Sequence, residues 1–444
     1  MTTAAPNLFA RVLRGSAITA GSYAVAQVLR LASNLILTRL LFPEAFGMMA
    51  LVSVFLVGLA MFSDVGIGPA IAQNRRGDDP DFLDTAWTIQ VARGAALWLG
   101  TCAIAWPVAQ LYSAPMLLQL LPAAGLTLLI AGFNPTSIDT ANRHLRLGRV
   151  TALDLASQII GIVAMVALAF ALRSVWALVL GAIAGSLAKL VLMRLYLPGQ
   201  RNRLRWDASA GQELIRFGKW IFLSTACGFL LAQGDKAILG AYLPLDQLGV
   251  YNIGWFLASF PVLLGGAVTS RVLIPLYRDH PPGASPENFA RLRRLRFGLT
   301  GGLLALLAVM AFAGVPLVGV LYDDRYARAG AIVVAIACVQ MPAVIGMSYD
   351  QSALAAGDSR NYFLLIAAKA TVQTLAFLAG AQAGGLAGAL AAQGLALAAV
   401  HPGIIWLARR HGAWDGLHDA LFGALAAALI GLALWVNWAV LVLI

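Results

Sequence analysis

Charge is scarce in this chain. Lys, Arg, Asp and Glu together make up 11% of its 444 residues, against roughly a quarter in a soluble globular domain. So few charges exclude a water-clothed fold of this size, and a 60% hydrophobic content with mean hydropathy +0.80 points to the bilayer as the main solvent. Cysteine is equally sparse. Cys102, Cys227 and Cys338 all lie within apolar runs without metal-type spacing, so neither a disulfide framework nor a metal site is implied. The five histidines, His144, His280, His401, His411 and His418, lack metal spacing as well and fall mostly between apolar runs. No GxxxxGK[ST] loop and no HExxH pair occurs, and spacing alone pairs no nucleophile with a base. ATP hydrolysis, a catalytic residue and a cofactor therefore have nothing in the sequence to rest on.

What is present is length of apolar run. A bilayer is crossed only by helices or closed barrels, because backbone polar groups find no partner in hydrocarbon. Barrel strands alternate apolar and polar over about ten residues, whereas here the runs reach twenty or more, as from Phe363 to Leu378 and on into a Gly/Ala tract. Breaks at charges, Pro and Gly place spans at 16–41, 46–73, 84–111, 116–140, 150–171 and 174–197, then 214–240, 246–273, 296–321, 330–355, 361–383, 386–408 and 418–442. The predicted fold class is an all-α polytopic membrane protein of about thirteen transmembrane helices, within 12 to 14. The first run carries Arg30 near its middle and is too long for a signal-peptide core, so it counts as a span. Before it, Asn7 to Arg14 has apolar and basic residues at helical spacing that suit the membrane surface.

The net charge of +11 comes from basic residues clustered between the apolar runs, which is the positive-inside pattern rather than a nucleic-acid footprint. With the N-terminus cytoplasmic, inside loops hold Arg75 and Arg76, then Arg143, Arg146 and Arg149, then Arg201, Arg203 and Arg205. Further along they hold Arg278, Arg291, Arg293, Arg294 and Arg296, then Arg360, Arg409 and Arg410. Outside loops carry little beyond Arg173, Arg325 and Arg328, the last two offset by Asp323 and Asp324. An odd number of spans then leaves the C-terminus outside.

The chain also repeats itself. Leu37 to Gly47 (LTRLLFPEAFG) resembles Leu239 to Gly249 (LGAYLPLDQLG) at an offset of 249 − 47 = 202 residues, with Leu37, Leu41, Glu44, Phe46 and Gly47 matching Leu239, Leu243, Asp246, Leu248 and Gly249. Six spans separate the copies, so both halves enter the membrane with the same polarity, as in parallel-repeat transporters. The expected organisation is an N-terminal six-helix bundle at 1–200, a basic cytoplasmic linker at 201–213, a second six-helix bundle at 214–408 and an extra C-terminal helix at 409–444.

Leu35 to Gln73 (LILTRLLFPEAFGMMALVSVFLVGLAMFSDVGIGPAIAQ) resembles the opening hairpin of the polysaccharide-transport family. These are the Wzx-type O-antigen and exopolysaccharide flippases of the multidrug, oligosaccharidyl-lipid and polysaccharide exporter superfamily. Asp235 to Asn252 (DKAILGAYLPLDQLGVYN) is similar to the start of that family's second half. The resemblance implies two pseudo-symmetric six-helix bundles around a central cavity in the bacterial inner membrane. It further implies alternating access without ATP hydrolysis, and a substrate made of an oligosaccharide repeat unit on undecaprenyl pyrophosphate. Implied partners are that lipid-linked oligosaccharide, bilayer lipids, and a polysaccharide polymerase with its glycosyltransferases; no nucleic acid is among them. The odd span count and a C-terminal region shorter than in the longer members depart from the family pattern.

Ionisable groups inside spans cost about 2.5 to 3.5 kcal/mol each on insertion scales, so each needs a cavity, a partner or a route to the surface. Tyr23, Gln27, Arg30 and Asn34 are spaced by four, three and four along one helical face, which makes that face polar through the bilayer centre. It is expected to line the cavity, the alternative being Arg30 paired with an acid such as Asp64. Asp64 precedes a Gly-Ile-Gly-Pro break, Gly66 to Pro69, and is a candidate for ion coupling beside a hinge. Arg93 and Lys369 lie at intermediate depth, where they either bind anionic phosphate or snorkel. Lys236 corresponds to Asn34 at the 202-residue offset and is expected to face inward; Asp235 beside it and Asp350 in Ser348-Tyr-Asp-Gln-Ser352 are further ion-coupling candidates. Gly380, Gly384 and Gly388 form small-xxx-small steps that predict close helix contact.

Three other readings compete. A lipid II flippase differs only in what the same carrier bears, and a multidrug exporter of the same superfamily would favour a cationic substrate that Arg30 disfavours. A membrane polymerase or ligase would be expected to carry a large outside loop, and here the longest runs only from about Tyr322 to Ala329.

Overall fold

The computed structural model describes residues 8–64, 66–144, 146–218 and 221–442, apart from the side chains of residues 8–20, 23, 215–218, 221–224, 271, 272 and 275. The side chain of Tyr23 and those of the surface segment Asn7 to Arg14 thus lie outside the described residues. Every regular element among the described residues is helical. Eight helical stretches are long and apolar enough to cross a membrane, and ten if each of two bent pairs forms one span. The chain divides into two compact units, Met1–Ala226 and Cys227–Ile444.

In the first unit α1 (Leu8–Leu40) is followed by α2 (Pro43–Phe62), which opens on a proline whose missing N–H costs nothing at a helix start. α2 ends at Ser63, and Gly66 takes the left-handed φ of +64° that starts α3 (Ile67–Gln73). Asp79 caps α4 (Pro80–Leu111) by accepting from the Asp81 N–H. α5 (Leu117–Gly132) and α6 (Ser137–Arg143) meet at a 59° bend around Asn134-Pro135, so the expected straight span 116–140 is broken there. α7 (Leu147–Leu172) packs along α8 (Trp176–Tyr196) and against α1. Two pairs of glycines set the closest approaches: a Cβ on Gly94 of α4 would sit 3.0 Å from Cα of Gly132, and one on Gly161 of α7 2.9 Å from Cα of Gly185.

The basic segment 201–213 is docked on this first unit rather than free. Its backbone N–H groups at Arg203, Arg205 and Asp207 donate to Asp84, Thr88 and Thr85 of α4. α9 (Ala208–Gly218) then buries Ala210 and Leu214 against Ile67, Ile71 and Phe82. α10 (Ile221–Tyr242) carries the chain across the boundary between units.

The second unit continues with α11 (Leu245–Ala258) and α12 (Phe260–Val268), bent by 44° where Pro261 follows Phe260, so the expected span 246–273 is also broken. A π-helical turn at Thr269–Leu273 leads into α13 (Ile274–Asp279). α14 (Pro286–Leu321), α15 (Arg328–Met347) and α18 (Gly416–Val436) share a core that includes Leu304, Leu307, Ala337, Met341 and Phe422. Between them lie α16 (Asp350–Ala355) and α17 (Ser359–Arg410), and α19 (Trp438–Leu441) closes the described chain.

α17 is two helices joined at a non-helical pair, Gly384 and Gly385, the second at φ +59°. The arms fold back on each other: a Cβ on Gly388 would overlap the carbonyl oxygen of Gly380. At the other end Asp358, the N-cap, takes His411 Nε2 at 3.2 Å. Of the three glycines expected to form one packing stripe, Gly384 instead makes the turn, and a Cβ there meets nothing within 4 Å. Gly388→Val is therefore expected to lower stability by about 1–3 kcal/mol through overpacking, while Gly384→Ala stays within about 0.5 kcal/mol. Thermal unfolding of the purified chain in detergent checks both.

Candidate functional site

α1 presents Gln27, Arg30 and Asn34 along one side, while Ala26 accepts a hydrogen bond from Gln158 of α7 at 3.0 Å. Arg30 is exposed and has no hydrogen-bond or ion-pair partner among the described residues, so the static pair with Asp64 is not formed. The Gln27 Oε1 atom is buried without a partner among the described residues. Asn34 contributes its carbonyl to Thr38 Oγ1 at 3.0 Å.

Asp64 and Arg93 both serve the break after α2. Asp64 Oδ1 accepts the Gly66 N–H at 2.9 Å, fixing the left-handed turn. Arg93 of α4 donates to Ser63 Oγ at 2.9 Å and to the carbonyl of Ala60 at 2.6 Å. Ala60 lies in the last turn of α2, whose final carbonyls lack an intrahelical donor. Arg93 thus closes a helix end instead of extending as a free cation.

In the second unit Lys236 is 4% exposed and Asp235 half-buried, both on α10. Lys236 Nζ sits 3.4 Å from Asp235 Oδ2 and 3.6 Å from the centre of the Trp255 ring on α11. A desolvated cation over an indole face gains roughly 2 kcal/mol. Tyr251 completes the group by donating its hydroxyl to Asp235 Oδ2 at 2.7 Å.

Asp350 begins α16, just past the end of α15, where it is buried and not solvated. Its Oδ2 accepts from Lys369 of α17 at 2.9 Å, and its Oδ1 is buried without a partner. Among the cations expected to meet substrate, Arg93, Lys236 and Lys369 are thus committed to neighbours, and Arg30 alone is free among the described residues.

A larger polar junction in this unit escaped the sequence. Arg296 of α14 is fully buried, donates to the Tyr277 hydroxyl at 3.2 Å and lies 4.6 Å from the Tyr349 ring centre. Tyr277 passes its own proton to the carbonyl of Ser348 at 2.8 Å. His418 of α18, also fully buried, has Nδ1 3.0 Å from the Tyr349 hydroxyl and Nε2 2.9 Å from Thr300 Oγ1. Beside it Asp419 takes Trp414 Nε1 at 2.9 Å and His401 Nε2 at 3.3 Å. The spacing of Arg293, Arg296 and Thr300 by three and four along one helix face was the available signal, hidden because these arginines also satisfy the positive-inside pattern.

Lys369→Ala would leave Asp350 buried and uncompensated, and the expected loss is about 3 kcal/mol of stability. Adding Asp350→Asn should recover part of it, a coupling that a double-mutant cycle on detergent-solubilised protein measures directly. Additive losses in the cycle would show the pair to be energetically idle.

The chain has the following likenesses. Residues 36–331 match the family described as "Polysaccharide biosynthesis protein". The chain is 23% identical over 245 residues to the succinoglycan biosynthesis transport protein ExoT of Rhizobium meliloti (strain 1021), covering 54% of this chain and 49% of ExoT. It is 20% identical over 248 residues to the lipopolysaccharide biosynthesis protein WzxC of Escherichia coli (strain K12), with the same shares of 54% and 49%. The chain spans about half the length of the curated relatives it matches. Among solved structures it resembles the lipid II flippase MurJ in an inward closed conformation, with TM-score 0.67 at 12% identity over 93% of this chain and 91% of that one. An inward-facing multidrug resistance MATE family transporter of the MOP superfamily gives TM-score 0.59 at 14% identity over 91% and 95%. At such identities the likeness establishes the fold alone. With well over half of its length matched by the family, the chain belongs to the polysaccharide biosynthesis protein family.

Proposed function

We propose that this multi-pass protein of the bacterial inner membrane carries an oligosaccharide repeat unit, linked through pyrophosphate to undecaprenol, from the cytoplasmic to the outer leaflet. It works by alternating access, as a transporter and not an enzyme. The observation that carries the reading is Arg30, a guanidinium without a partner among the described residues, on the polar side of an apolar helix. Pyrophosphate cannot enter hydrocarbon bare, and a guanidinium offers paired donors matched to phosphate oxygens. An inside-negative potential favours outward movement of that anion by about 2.3 kcal/mol per charge per 100 mV.

The topology that goes with this reading has thirteen crossings and a cytoplasmic N-terminus. α1, α10 and each arm of α17 cross once, α2 with α3, α5 with α6, α11 with α12 and α15 with α16 each form one broken span, and α4, α7, α8, α14 and α18 complete the set. Six crossings then fall in residues 1–200, six in 214–408 and one in 409–444.

A second reading has its own support: the nearly full-length likeness to a lipid II flippase favours lipid II on the same carrier. The names of the curated relatives favour a polysaccharide repeat unit. Leaflet-resolved analysis of undecaprenyl-linked saccharides in cells lacking the protein separates the two. Inner-leaflet accumulation of oligosaccharide, relieved by wild type and at least about tenfold less by Arg30→Ala at equal abundance, is the expected result. Accumulation of lipid II instead would select the second reading, and an unchanged distribution of both would refute flipping.

A further inference from the structure

The connection from α6 to α7 holds four basic side chains in two different states. Arg143 is fully spent: Nη1 donates to the carbonyls of Ile71, Ala72 and Asn74 at 2.8, 3.0 and 2.7 Å, and Nε to Asp78 at 3.1 Å. His144 Nε2 takes the other oxygen of Asp78 at 2.8 Å. The hydrogen bond from His144, reinforced by the charge of Arg143, holds the Asp78 carboxyl below its ordinary range. Asp78 is therefore ionised, and its charge is already answered from both sides.

Arg146 and Arg149 are in the opposite state. Both are exposed, and neither has a hydrogen-bond, ion-pair or ring partner among the described residues. Both line a cavity of about 340 Å³ whose wall also includes His144 and Asp78 and whose apolar part includes Leu83 and Leu197. α7 begins at this place, and no side chain caps its leading N–H groups, which like those of any helix start have no intrahelical acceptor. Positive-inside topology accounts for the charge of these arginines, but it requires no cavity and leaves their pairing on one concavity unexplained.

We infer that this cavity is a binding site for a phosphate-bearing ligand, held by Arg146 and Arg149 above the apolar surface of Leu83 and Leu197. Against the single answered charge of Asp78, Arg143, Arg146 and Arg149 leave the site net positive. Two planar guanidinium groups match the oxygens of a phosphate or diphosphate, and the apolar wall accepts a hydrocarbon or sugar face beside it. The phosphate belongs either to a small soluble compound or to a lipid head group. The site is separate from Arg30, and its variants leave that residue untouched.

The test uses the full chain in phosphatidylcholine nanodiscs. One arm titrates inorganic pyrophosphate by calorimetry; the other incorporates phosphatidylglycerol or a short polyprenyl phosphate and reads retained lipid by native mass spectrometry. Saturable pyrophosphate binding in excess of any that remains when Arg146 and Arg149 are both replaced identifies a soluble ligand, and selective lipid retention without it identifies a head group. In either case the double variant Arg146→Gln, Arg149→Gln should weaken binding by at least about tenfold, while its unfolding temperature stays unchanged because both side chains are exposed. Absence of binding in both arms, or equal binding by the double variant, overturns the site. Neither result bears on flipping through Arg30, which the cellular assay reads separately.

Discussion

A charge on an apolar helix has no water to fall back on, and the second half of that problem is the backbone: wherever such a helix breaks, its carbonyls and N–H groups lose their partners too. The fold answers both needs with the same residues. Arg93 closes the carbonyl end of α2 at the break that Asp64 shapes. Asp350 and Lys369 meet where α15 gives way to α16. At the same break Tyr277 holds the carbonyl of Ser348 and is itself held by Arg296. At these breaks, charged and hydroxyl side chains supply backbone groups with the partners that the interrupted helix no longer provides.

This economy leaves Arg30 conspicuous. Arg93, Lys236 and Lys369 each satisfy a local structural demand, so their presence needs no substrate to explain it. Arg30 satisfies none among the described residues, while a cation held mid-helix costs about 2.5 to 3.5 kcal/mol on insertion scales. A ligand that brings negative charge into the membrane would remove that cost when bound, and this is the physical link between an unpaired arginine and anionic lipid carriers.

Elements defined by local signals were legible in the sequence. The Gly-Ile-Gly-Pro break after Asp64 appears where the composition placed it, and the turn at Gly384 and Gly385 falls between the spans 361–383 and 386–408. Helical class followed from run length alone. The bend at Phe260-Pro261 lay inside an apolar run that gave no break signal beyond the proline, whereas Asn134-Pro135-Thr136-Ser137 is a polar break that the span 116–140 ran through. Partnerships were the least legible part. Arg293 meets Asp415 across 122 residues, and Arg93 meets Ala60 across 33. Charge spacing along one helix cannot reveal an acceptor supplied by another, and the positive-inside pattern had already given Arg293 and Arg296 a sufficient reason to exist.

The same junction changes the meaning of the last helix. The family resemblance makes residues 409–444 an addition to a complete bundle. Buried polar contacts tie it in: Asp415 forms a two-bonded pair with Arg293, with Nη2 to Oδ1 at 2.8 Å, and the Asp415 carboxylate is itself buried. His418 enters the core of α14 and α15, and Asn437 donates to the carbonyl of Ala311 at 3.2 Å. Taking α18 and its N-cap Asp415 away would strip the buried Tyr349 hydroxyl of the Asp415 carbonyl at 3.2 Å and of His418, and leave Thr300 without His418. Each buried donor or acceptor orphaned in this way costs roughly 1–3 kcal/mol. α18 is therefore a structural member of the second unit, and it holds Tyr349 at the short break between α15 and α16.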